Sequence, residues 1–131
     1  MAALDTNILV RYLVQDDAQQ FSAAKKLIRA AIRAGETLFI PITVTLELEW
    51  VLRSNFRFDK EQVTTALSNL LASVELSFES ELAAEIALAL YKKGIADFSD
   101  CMHIALAHIA GETPLWTFDR AASKIDGAKL L

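Results

Sequence analysis

The sequence predicts an α/β fold, a short parallel sheet flanked by helices. Two observations carry this. AALD, TLFI, VELS and PLWTF are short apolar segments, and amphipathic stretches of helical periodicity separate them. The two prolines and four glycines also fall where elements should end, with no repeat, low-complexity tract or linker between them. Strands that alternate with helices pair in parallel, and ligands then collect at the carboxyl ends of the strands.

Taken in order, AALD is a short buried strand stopped by Asp5-Thr6-Asn7, whose side chains can cap the next helix. Ile8, Leu9, Tyr12 and Leu13 give that helix one apolar face. Asp16 and Asp17 open a second helix, with Phe21, Ala24, Leu27, Ile28 and Ala31 at helical spacing and Gly35 as its stop. TLFI before Pro41 is the second strand. In the following stretch Ile42, Val44, Leu46, Leu48 and Trp50 alternate like a strand. Val51 and Leu52 break the alternation, and Pro41 with Thr43 makes a good helix entry, so a helix is expected. A helix over about Lys60 to Leu71 precedes the VELS strand. The next helix runs from Glu79 to Lys93, with Leu82, Ile86 and Leu90 inward and Gly94 as its end. Asp97 and Asp100 begin another that ends near Gly111, and PLWTF leads to Asp119.

At 131 residues the chain reads as one domain, 1-131, able to bury a core without staples. Hydrophobic residues make up 53% of it, which argues against disorder, and no apolar run reaches the roughly 18 residues of a membrane span. MAALDTN lacks the features of a signal peptide, and the single Cys101 forbids an intrachain disulfide, so a cytoplasmic location is expected. With His103 and His108 as its other candidate ligands, Cys101 does not make a zinc site; it suits the core. The net charge of −4 is uneven. Residues 1–60 carry eight Lys/Arg against seven acids, whereas residues 61–131 carry five against ten. Lys25, Lys26, Arg29 and Arg33 therefore have two readings, a solvated helix face or a set of phosphate contacts.

Four carboxylates carry the chemistry: Asp5 in LDTN, Glu47 in LELEWVL, Asp100 in ADFSDCMHIALA and Asp119 in LWTFDR. Each lies near a junction between an apolar segment and its polar edge, where a charge is costly unless offset. Gathered by a parallel sheet, they would make an oxygen-ligand pocket for a hard divalent cation, suited to phosphodiester cleavage. Each also has a plainer role. Asp5 suits an N-cap, Asp97 and Asp100 have capping-box spacing (with Asp97 the expected cap), and Asp119 suits a cap for a short helix at Arg120. Arg120 is suited to an acid or to phosphate. Glu47 has apolar neighbours in Leu46, Leu48, Trp50 and Val51, while Glu49 is expected to face solvent. His103, one turn after Asp100, has a structural reading and a substrate-contact reading, His108 is read as structural, and Trp50 and Trp116 as core or interface residues.

With these motifs in this order over nearly the whole chain, the sequence resembles the PIN-domain ribonucleases, and among them the VapC toxins of toxin–antitoxin pairs. The resemblance implies a metal-dependent endoribonuclease using Mg2+ or Mn2+. Its acidic quartet, both catalytic and metal-ligating, maps to Asp5, Glu47, Asp100 and Asp119. It also implies an RNA substrate, a cognate antitoxin protein and a homodimer, for which Trp50 or Leu70 and Leu71 offer apolar surface. Thr6, Asn7 and Thr117 are expected to orient the ligands. The TFD of the last motif departs from the Ser/Thr-Asn-Asp of many relatives by placing Phe118 before the acid. Two other readings compete. A receiver-like signalling domain needs an Asp in VELS and a Lys where LWTFDR has Asp119. A non-catalytic α/β binding module would use the acids only as caps.

Overall fold

The computed structural model describes residues 2–131. The described chain is α/β with parallel strand pairing, as expected, and divides into two compact units, Met1–Glu79 and Ser80–Leu131.

In the first unit, β1 (Ala2–Ala3), β2 (Leu38–Ile40) and β3 (Leu76–Phe78) form a sheet in that order. Each parallel crossover is a helix pair: α1 (Thr6–Val14) with α2 (Ala18–Ala34), then α3 (Ile42–Ser54) with α4 (Lys60–Leu71). Local sequence sets the helix ends. The Asp17 carboxylate accepts the Gln20 N–H and Gly35 closes α2 at φ +66°, a backbone conformation glycine adopts without cost. At α4, Asp59 and Gln62 make a reciprocal capping box. Leu38 and Ile40 are buried while Phe39 between them is exposed, the period-two pattern of a half-covered strand.

The alternating stretch is the helix α3. Val44, Thr45, Leu48, Glu49 and Leu52 are its buried positions, a 3.6-residue stripe that leaves Trp50 outside at 53% exposure. Trp50 is thus not a core residue. Leu70, by contrast, is buried and offers no surface for a dimer. Leu27 also departs from expectation; it stays partly exposed beside the buried Ala24, Ile28 and Ala31.

The second unit packs α5 (Glu81–Lys93) against α6 (Phe98–Ala110), followed by β4 (Leu115–Thr117), a 3-10 turn over Ala122–Lys124 and β5 (Ala128–Leu130). The inward face of α5 is Ala83, Ala84, Ala87, Leu88 and Tyr91, not the expected Leu82-Ile86-Leu90 stripe; Leu82 is 59% exposed. Alanines let the two helices approach closely, so the larger side chains flank the seam. Tyr91 meets Phe98 edge to face at 5.5 Å, and Cys101 is fully buried. β5, which carries no distinct sequence signal, pairs in parallel with β4. No helix among the described residues is long and apolar enough to cross a membrane.

One buried polar group is left over. The Thr45 hydroxyl has no hydrogen-bond partner among the described residues, an arrangement that costs about 1–3 kcal/mol. Thr45→Val is expected to raise unfolding stability by about 1 kcal/mol in urea titrations. A loss instead would mean that the hydroxyl has a partner in solution.

Candidate active site

The register of the first sheet fixes where its acids emerge. Ala3 pairs with Phe39, and Ile40 with Phe78. Leu4 N–H donates to the Phe39 carbonyl and Glu79 N–H to the Ile40 carbonyl, each at 2.9 Å, so the pairing runs on past the strand ends. Asp5, Pro41 and Glu79 are therefore the next residues at one carboxyl edge. Asp5 caps α1: its Oδ1 accepts the Thr6 N–H at 2.7 Å. Thr6 is buried, and its hydroxyl donates to Glu47 Oε1, which ties the start of α1 to the second turn of α3. Asp5 and Glu47 thus each commit one oxygen to a protein donor. Their second oxygens accept no hydrogen bond from the described residues.

The expected exposures of the two neighbouring glutamates are reversed. Glu47 is exposed, whereas Glu49 is only 4% exposed and accepts from Arg53 Nε at 2.8 Å. The stripe of α3 explains this, because position 49 follows 45 and precedes 52 on the buried face. Glu79 is a further acid at the sheet edge that the sequence reading missed. Its Oε1 accepts the Ile42 N–H at 2.9 Å and so caps α3, a role that Pro41 at the N-cap position has no side chain to fill.

In the second unit Asp100 lies in the first turn of α6 and Asp119 just after β4. Burial pushes the Asp100 carboxyl above its ordinary pKa, and the Asp119 charge adds to this. His103 works the other way and Asp97 again raises it. His103 is exposed, not packed. Asp97 occupies the N-cap position of α6, yet its side chain makes no capping hydrogen bond; the expected capping box is absent. Asp119 does cap: its Oδ1 accepts the Ala122 N–H at 2.8 Å, so the turn it starts begins at Ala122, not Arg120. Thr117 Oγ1 accepts the Asp119 N–H at 2.9 Å, which fixes the backbone that carries the carboxylate. Phe118 between them is exposed, and so is Trp116, with Lys129 Nζ 5.8 Å from its ring.

The structure thus links Asp5, Thr6 and Glu47 in one unit, and couples Asp100 with Asp119 in the other. Among the described residues neither unit by itself gathers three His, Cys, Asp or Glu side chains into a metal-holding cluster. Because the folded-state pKa of Asp100 is raised, its ionised form opposes folding above that pKa. The penalty fades as pH falls toward the ordinary value of 3.8. Asp100→Asn is expected to raise the melting temperature at neutral pH, with a gain that vanishes in acid; an equal gain at all pH values would assign the effect elsewhere.

Comparison with known proteins agrees with this architecture. A VapC ribonuclease of Aquifex aeolicus (strain VF5) is 24% identical over 125 residues, which span 95% of this chain and 92% of the relative. The family model described as PIN domain matches residues 2–128, from β1 to the start of β5. The chain belongs to the PIN-domain family.

Proposed function

We propose that this chain, acting as a single domain over residues 1-131, is a divalent-metal-dependent endoribonuclease and the toxin of a toxin–antitoxin pair. Asp5, Glu47, Asp100 and Asp119 are the carboxylates on which cleavage depends. The observation that carries this reading is the electrostatic pressure on Asp100, which is partly buried and faces the charges of Asp119 and Asp97, with His103 acting against them. Like charges held close are a cost to the fold unless a cation relieves them. Membership of the PIN family and the name of the Aquifex relative point the same way.

The donor set fits Mg2+ or Mn2+. Carboxylate oxygens are hard ligands, and the chain's one thiol, Cys101, is sealed in a core where it cannot compete. When bound, such an ion supplies Lewis acidity at a phosphate oxygen and eases deprotonation of water. The chain's own residues do the positioning. Asp5 and Asp119 are each locked by one oxygen to a backbone N–H, and this leaves the other oxygen for ligation. Thr6 holds Glu47 in one orientation, and Thr117 holds the backbone of Asp119. Glu47 or Asp119 would orient the attacking water. Hydrolysis in line leaves a 5′-phosphate and a 3′-hydroxyl. A cognate antitoxin and a homodimer that uses the exposed Trp50 complete the proposal, in a cytoplasmic setting.

Purified protein should cut cellular RNA into discrete fragments with Mg2+ or Mn2+ and leave it intact with EDTA. Asp5→Asn and Asp100→Asn should each lower the rate more than about 100-fold without unfolding the chain, and Thr6→Val by about 10–100-fold. Metal-induced thermal stabilisation should grow as pH rises through the Asp100 pKa, since a protonated carboxyl is a poor ligand. RNA left intact by a protein that also shows no metal-induced stabilisation would favour a non-enzymatic binding module.

A further inference from the structure

We infer that the outward stripe of α2 is the surface along which the RNA phosphate backbone lies. The inference rests on the ribonuclease reading for the identity of the polyanion, and on α2 itself for the surface. The 17 residues of α2 hold four cations, Lys25, Lys26, Arg29 and Arg33, and no acid, in a chain whose net charge is −4. Lys25 is placed apart by its contact with the Phe21 ring, 5.6 Å from the centroid. Lys26, Arg29 and Arg33 follow one another at spacings of three and four, so they project from one face, and all three are exposed. They rise along about 10 Å of helix axis, a dense line of charge to set against a polynucleotide strand.

Local structure accounts for little of this. Like charges at such spacings weaken a helix, and acids interleaved with the cations would remove the penalty. Arg33 gains from the helix dipole in the last turn; Lys26 and Arg29 lie too far from the C-terminus for that. Two other cations of the same unit are matched, Arg11 with Asp16 and Arg53 with Glu49. The stripe side chains make no ion pair or hydrogen bond with the described residues. Asp17, the acid at the start of the helix, is spent on the Gln20 N–H. What remains is a helix face that repels itself and attracts anions, and a strand with one charge per nucleotide complements it along its length.

The test is binding of a fluorescently labelled single-stranded RNA, read by anisotropy in EDTA across a series of KCl concentrations. Wild type is compared with Lys26→Gln/Arg29→Gln/Arg33→Gln and with the charge-keeping Lys26→Arg/Arg29→Lys/Arg33→Lys, each checked for helicity by circular dichroism. Removal of three phosphate contacts should flatten the slope of log affinity against log salt by about 2, a roughly 20-fold smaller loss over a fourfold rise in salt. The charge-keeping variant should retain the wild-type slope. An unchanged slope in the glutamine variant would overturn the inference even if wild type cleaves RNA with metal. Loss of poly-L-glutamate binding with RNA binding unchanged would also overturn it, and would assign the stripe to an acidic polypeptide. A flattened slope in a protein that cleaves no RNA would uphold the stripe and sink the nuclease reading instead.

Discussion

Parallel pairing of three very short strands is the constraint on which the first unit depends. β1, β2 and β3 are two or three residues long, so their register decides which side chains emerge where the sheet gives way to helices. Because the register aligns the strand ends, Asp5 and Glu79 leave the sheet at the same edge, and each meets the unsatisfied N–H groups of a starting helix. A register shift of one residue would exchange the buried Leu38 and Ile40 for the exposed Phe39. Core burial and the placement of the acids are therefore one requirement, met by the same hydrogen bonds.

Three acids of this chain are each held in place by one oxygen. Asp5 and Asp119 each satisfy a backbone donor, which orients the side chain at little entropic cost, and each retains an uncommitted oxygen. Glu47 obtains the same fixation from the Thr6 hydroxyl. Asp100 differs, since its first-turn position and partial burial bring charge pressure instead. Capping and ligation, which compete as readings of the bare sequence, are compatible in the folded chain.

Elements with strong local signals were legible in the sequence. α2 and α4 are bounded by Asp caps, a terminal glycine or a capping box, and their limits follow from those residues. The fold class followed from the alternation of strands with helices. What escaped reading depends on neighbours distant in sequence. The inward face of α5 was misplaced because a close helix seam prefers Ala83, Ala84 and Ala87 over the larger Leu82. The exposures of Glu47 and Glu49 were reversed because the burial of α3 is set by what packs on it, not by the alternation of its apolar residues. β5 has no sequence pattern of its own and exists by pairing with β4. For the candidate site, the acidic residues stood out one at a time; the Thr6–Glu47 link and the Glu79 cap required the sheet register.

The burial of the lone thiol gives the second unit a built-in reporter. Cys101 is 0% exposed on the face of α6 that packs in the core, and the chain has no other cysteine. Reagents that alkylate thiols can reach it only when this packing opens, so the labelling rate follows opening around α6. Local opening around α6 can be timed in the unmodified protein, with no probe introduced and no ambiguity over which residue reacts.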